Sequence, residues 1–334
     1  MATPGLKPLA MGELIDRSVS FWRAQVKPLF RLYVPFELAV YGVTKAANLI
    51  GDHSASFLSL RRMLESLQHP DDHPLQPRQI AATALGLGTI ALFDLWVGWW
   101  LQVAGTRYCV EAVTGGEPTL ADGLRIALRR TARTTLVFVL SVLQWVVAGL
   151  LCSLPGAGLA ILGYRAALDG SITGGSVALV GGALLIGLGL LVATLWYVLR
   201  FMVTAQVLAA EDVGALTALR RSNALVSGRI GAGFVDRVKI RATILLTAII
   251  AIRLVVQLMA SVPGMIIAVA FGKNGVTELP QGLMVPAELI STLAEAAFGP
   301  LYLAFTAFFY LDMRVRREGL DLLLRAGGAA RVAA

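Results

Sequence analysis

Seven ionisable side chains interrupt long apolar runs in this sequence: Glu37, Lys45, Asp94, Arg200, Arg253, Glu288 and Glu295. If those runs cross a bilayer, each such group costs at least about 2.5 kcal/mol near the membrane centre, so it needs a partner or a task. Asp94 and Arg253 lie near the middle of their runs and carry opposite charge. Both are expected to face a helix-bundle interior, paired with each other or through Glu37 or Glu295. Charges so placed serve either a polar pathway for an ion or solute or plain charge-compensated packing, and the second is the commoner use. Arg200, close to the end of its run, is expected to snorkel toward the membrane boundary.

A second group is His69-Pro70-Asp71-Asp72-His73, with Asp52-His53 upstream. Imidazoles and carboxylates of this kind ligate zinc or another divalent ion, and His-x3-His suits one helix face. Pro70 argues against a helix there, so His69 and His73 are only weak ligand candidates and a solvated loop is expected. Gly86, Gly88, Gly181, Gly182, Gly187 and Gly189 lie in apolar segments, where small residues permit close helix contact. No Lys-Ser/Thr follows them, as a phosphate loop requires, and there is no Gly-x-Ser-x-Gly, His-Glu-x-x-His or Cys-x-x-Cys. No catalytic constellation and no cofactor is expected.

The composition says why. Of 334 residues, 57% are hydrophobic and 15% charged, with a mean hydropathy of +0.72; soluble domains carry about 25% charged residues. The net charge of +8 would suggest nucleic acid in a soluble chain, but here Lys and Arg flank apolar runs, which suits anionic lipid headgroups. Cys109 and Cys152 are placed near opposite membrane faces, so no disulfide is expected. A cleavable signal peptide is not expected either: the first apolar run begins near Pro28 and carries Arg31 and Glu37.

The elements that must position these groups are helical. Ile15, Val19, Trp22 and Val26 form one apolar stripe over 9–26, which fits a basic amphipathic helix lying in the interface or packed on the protein itself. Spans are expected at 28–50, 79–104, 135–154, 177–205, 243–262 and 286–311, each long enough at 1.5 Å per residue to cross roughly 30 Å of hydrocarbon. Trp96, Trp99 and Trp100 suit an aromatic belt. A loop at 51–78 lies outside the cytoplasm and a tail at 312–334 inside it. Arg125, Arg129 and Arg133 recur at every fourth residue of an amphipathic stretch over 119–134.

Arg133 and Arg241 each precede a Pro-Gly pair by 22 residues, Pro155-Gly156 and Pro263-Gly264, and both copies are approached through Leu-Arg-Arg-Thr/Ser. With Ile15-Asp16-Arg17-Ser18 as an eroded third copy, the chain reads as three repeats of one amphipathic helix and two spans. The Pro-Gly pairs are expected to break each helix at the far interface. Segments 1–31, 105–134, 212–241 and 312–334 hold 21 Lys and Arg, against 4 in the opposite loops. Positive residues stay inside, so both termini are expected in the cytoplasm.

Ala10 to Arg17, Ala218 to Arg229 and Tyr310 to Asp321 resemble the bacterial glycerophosphoryl diester phosphodiesterase membrane-domain family, and the layout is similar to YciC-like inner-membrane proteins. The family name comes from chains that fuse such a region to a catalytic barrel. A barrel needs roughly 250 further residues and metal ligands that this sequence does not supply, so the resemblance implies a bacterial inner-membrane location but no phosphodiesterase activity. The expectation is one all-α, polytopic membrane domain over 1–334. Its leading role is a non-enzymatic envelope scaffold or accessory subunit. Arg125, Arg129, Arg133, Arg220, Arg221, Arg229, Arg314, Arg316 and Arg317 would bind anionic lipid or a protein partner, a second copy included. The alternative is a transporter or channel for a lipid-like or small polar solute, working through Glu37, Asp94, Arg253 and Glu295.

Overall fold

The computed structural model describes residues 7–53, 77–231, 233, 236–271 and 281–322. Among them the regular structure is helical, with one isolated antiparallel bridge, Arg229 opposite Arg237. The chain is therefore all-α. In order the helices are α1 (Met11–His53), α2 (Pro77–Thr114), α3 (Leu120–Arg129), α4 (Thr131–Leu168), α5 (Ile172–Phe201), α6 (Thr204–Ala210), α7 (Ala215–Val226), α8 (Val238–Phe271) and α9 (Gln281–Glu318). His69 and His73 lie outside the described residues.

Two compact units are formed. The first holds Ala10–Ala127 and Leu245–Phe308; the second holds the described parts of Ala2–Leu9, Leu128–Ile244 and Phe309–Ala334. Among the described residues four helices are long and apolar enough to cross a membrane: Thr131–Leu168, Thr173–Ala210, Val238–Ile267 and Met284–Glu318. They contain the last four expected spans. The expected spans at 28–50 and 79–104 are helical within α1 and α2 but are not among the four. Arg31, Glu37 and Lys45 dilute the apolar character of the first, and the side chains of the first part of the second lie outside the described residues.

In the first unit, α1 bends at Gln25 (φ −109°, ψ 15°), just before Pro28. The half before the bend packs on α9. Phe21 meets Phe308 edge-on at 5.6 Å, Trp22 lies 5.1 Å from Phe298, and the Trp22 indole N–H donates to the Ala297 carbonyl at 3.0 Å. Of the two readings of this amphipathic segment, packing on the protein is the one observed. Trp100 is likewise buried, 5.2 Å from Phe36, rather than set in an aromatic belt.

The Pro-Gly pairs do not break their helices. α4 continues 13 residues past Pro155 to Leu168, and α8 continues past Pro263 to Phe271. A proline removes one backbone hydrogen bond, but away from water the remaining N–H and C=O groups have no better partners than their own helix, so the helix persists. Gly264 has only ordinary contacts in view, to Ala287 and Met284. Gly156 has a different use. A Cβ there would lie 2.5 Å from the Ile186 nitrogen and 2.7 Å from the Gly182 oxygen. The real stop of α4 is at Gly170 (φ +88°), where the Ser171 N–H bonds Ala166 O at 3.0 Å and the Gly170 N–H bonds Ala167 O at 3.3 Å. That is the paired bonding of a glycine C-cap.

Within the second unit α4 and α5 form a long antiparallel hairpin whose contact face is almost bare backbone. Gly149, Gly156 and Gly163 recur every seventh residue on α4, and Gly175, Gly182 and Gly189 do so on α5. A Cβ at Gly163 would meet the Leu179 nitrogen at 2.7 Å, one at Gly182 the Ala160 nitrogen at 2.6 Å, and one at Gly189 the Cys152 oxygen at 2.4 Å. A seven-residue period keeps one face on its partner along the whole length, and small residues let two apolar helices meet without a hydrophobic drive between them. Gly158, two residues from Gly156, faces open space. Gly156→Ala should therefore cost about 1–3 kcal/mol through overpacking, read as a lower unfolding temperature of the detergent-solubilised protein, while Gly158→Ala should cost nothing.

Candidate intramembrane polar site

The first unit gathers the four charges singled out above. α1 carries Glu37, Tyr41 and Lys45 at every fourth residue, so they line one helix face. α9 presents Glu288 and Glu295 seven residues apart, also on one face. At one end of this row Lys45 Nζ lies 2.8 Å from Glu288 Oε2, and the Tyr41 hydroxyl donates to the same carboxylate at 2.9 Å. Two turns along, about 10 Å by helix rise, Arg253 of α8 pairs with Glu295. Glu37 lies within electrostatic range of Asp94, Glu295 and Arg253, and Asp94 within range of Arg253. The small polar side chains nearby are occupied: Thr292 donates to Glu288 O at 2.9 Å and Ser291 to Ala260 O at 3.1 Å.

Four helices, α1, α2, α8 and α9, thus contribute one charged residue each to the cluster. Arg253 finds its counter-ion in Glu295, one of the partners expected for it. Its setting differs from the expectation of a bundle interior: the Arg253 side chain is 72% exposed against 26% for Glu295, and Asp94 is exposed. Arg253 shares the face of α8 that carries buried Ile249 and Ala260, four and seven residues away, yet its own side chain is exposed. Exposed Leu92, Phe93, Leu95, Leu254 and Val255 surround the charges in sequence. With Arg253 and Lys45 paired, Glu37 and Asp94 carry no hydrogen bond or ion pair among the described residues. Such carboxylates can take up a proton or a small cationic group. Among the described residues no three His, Cys, Asp or Glu side chains are placed to hold a metal ion.

The second unit shows what several of the arginines bind within the chain. Asp312 is buried and accepts from the Leu9 N–H at 2.8 Å, from Arg241 at 3.1 Å and from Arg316 at 3.0 Å. Both guanidinium groups also donate to the Leu9 carbonyl, at 2.9 and 2.7 Å. Glu211 accepts from Arg221 at 3.1 Å and from the Tyr310 hydroxyl at 2.9 Å. Glu318 takes the other side of Arg221 and, at 3.0 Å, Arg314. Arg317 donates to the Ala224 and Ser227 carbonyls that end α7. Arg221, Arg314, Arg316 and Arg317 thus each bind carboxylates or helix-end carbonyls of the chain itself, and Arg317 does so from an exposed position. Five donors on a planar fork suit them to that use.

Arg133 pairs with Asp212 at 2.6 Å, and Arg125 lies only 3.7 Å from Asp122, largely exposed. Arg129, Arg220 and Arg229 remain exposed. The Arg133 hydrogen bond and charge, backed by Arg130, hold the Asp212 carboxyl below its ordinary range. That contribution is present above the usual aspartate value and is lost as pH falls through the lowered one. It is a surface pair and weakens in salt. The acceptors Glu211, Asp312 and Glu318 were not singled out from sequence; their signal was acids standing inside otherwise basic segments.

Asp312→Asn should leave buried Arg241 and half-buried Arg316 short of charge and cost about 3–5 kcal/mol. Arg241→Gln should be comparably destabilising, and the double variant should fall well short of the sum, because each change removes the other's strain. Unfolding temperatures of the purified protein measure all three. No family model matches the chain, and no curated protein or solved structure matches it.

Proposed function

We propose that this chain is a multi-pass membrane protein that binds and passes a small polar or cationic species at an intramembrane site, as a transporter or channel. The observation that carries the reading is the convergence of Glu37, Asp94, Arg253 and Glu295 from four helices, with two carboxylates left over after the arginine is paired. Ionisable groups inside membrane segments commonly mark solute, ion or proton routes. In proteoliposomes, pyranine would follow protons and radiolabelled methylammonium a small cation. Asp94→Asn and Arg253→Gln should each abolish the flux that the wild type adds, with unfolding temperature retained; unchanged flux would remove this pair from any pathway.

A second reading, an envelope scaffold or accessory subunit with no reaction of its own, is favoured by the exposed Arg129, Arg220 and Arg229. It is narrower than the sequence suggests, since four of the nine arginines are internally bound. Both readings share a topology. The second half of α1 and all of α2 would add two spans to the four. Each pair of long helices would then follow an amphipathic one: the first half of α1, α3 and α7. Such a threefold plan, bacterial inner-membrane location and cytoplasmic termini agree with the resemblance to the phosphodiesterase membrane domains. A reporter fused after Arg130 or Arg229 should stay cytoplasmic and one near Asp71 should be exported; the reverse pattern would sink the topology.

A further inference from the structure

Tyr33, Glu37, Tyr41 and Lys45 recur at every fourth residue of α1, and Glu288, Thr292, Glu295 and Gly299 share one face of α9. Contacts near both ends of these rows fix how they are matched. Lys45 pairs with Glu288 at 2.8 Å, and a Cβ on Gly299 would lie 3.3 Å from the ring of Tyr33. The two rows therefore run antiparallel. Glu37, four residues after Tyr33, stands level with Glu295, four residues before Gly299. Two carboxylates are thus set across from each other on α1 and α9, within electrostatic range.

Arg253 of α8 pairs with Glu295, and Asp94 of α2 brings a third carboxylate within range of Glu37. On α1 itself the neighbours are the phenols of Tyr33 and Tyr41, the second donating to Glu288, and Lys45, which is engaged with that same carboxylate. Three carboxylates therefore share one guanidinium, and unmatched charge in apolar surroundings is costly. An anion bound here would add to the excess, so the site calls for positive charge. Glu37 is half-buried between the two ion pairs, whereas Asp94 is exposed. We propose that Glu37 holds a proton opposite Glu295 and gives it up when a small monovalent cation binds between Glu37 and Asp94. Cation and proton then exchange one for one: the proton leaves to water as the cation arrives, and the charge of the site is unchanged. The proposal rests on the intramembrane site being one that binds a cation, and adds what that cation is exchanged for.

The test titrates the full chain, in weakly buffered non-ionic detergent, with methylammonium chloride against a potassium chloride blank. Calorimetry reads the bound cation and a pH dye the released proton. About one proton should leave per cation bound, and affinity should fall about tenfold for each unit of acidification while Glu37 is protonated. In infrared difference spectra the carbonyl band of a protonated carboxyl should vanish on binding. E37Q should abolish both the proton release and the band and leave affinity flat with pH. E37D keeps the carboxyl, so it should retain proton release, and it serves if the glutamine variant does not fold. D94N should bind the cation more weakly yet keep the pH slope. The proposal is overturned by a wild type whose affinity ignores pH, by an E37Q that retains the wild-type slope, or by a slope lost only in D94N. Cation binding without proton release defeats the exchange alone, whereas no methylammonium binding at any pH defeats the cation-site reading and the exchange with it.

Discussion

A charged side chain that leaves water must be met by groups of the protein, and the cost of failing to meet it rises as the surroundings become more apolar. The second unit obeys this throughout its buried end. Asp312 receives two guanidinium groups and a backbone N–H, while Glu211 and Glu318 share Arg221. The first unit obeys it for Arg253 and Lys45 but leaves Glu37 and Asp94 over. The contrast within one chain is between carboxylates that are fully met and two that make no hydrogen bond or ion pair among the described residues.

The arginine-rich segments have a double character for the same reason. Counted along the sequence they suggest an orientation; placed in the fold, Arg130 and Arg317 end helices. Arg317 occupies the carbonyls at the end of α7, and Arg130 those of Leu208 and Glu211 after α6. A helix leaves its last carbonyls without partners, and at an end where several helices meet, side-chain donors supply what water cannot. Positive charge near the membrane boundary is therefore spent partly on holding that boundary together.

Those two findings show what the residues alone could tell. Four spans were legible because runs such as 135–154 and 243–262 are apolar on every side, a pattern few other structures need. The polar cluster was legible because a charge in such a run is conspicuous, so Glu37, Asp94, Arg253 and Glu295 could be named in advance. The direction in which Arg253 leaves α8 was not, since exposure depends on which face its neighbours cover. The long-range partners of Arg221, Arg316 and Arg317 were equally hidden: these acceptors come together only once separate helix ends meet. Pro155-Gly156 misled because the rule that proline ends a helix assumes water ready to take the freed carbonyl. The seven-residue glycine period stood in the sequence all along, but its meaning required knowing that two helices run antiparallel.

That period has a mechanical consequence. With glycines at 149, 156 and 163 set against 175, 182 and 189, small sliding steps drive a neighbouring side chain into backbone, and only a slip of a whole period, about 10 Å of helix, would restore the fit. The tight turn at Asp169 to Ser171 forbids that slip. α4 and α5 are keyed together like the teeth of a rack, so the hairpin moves along its length as a stiff bar.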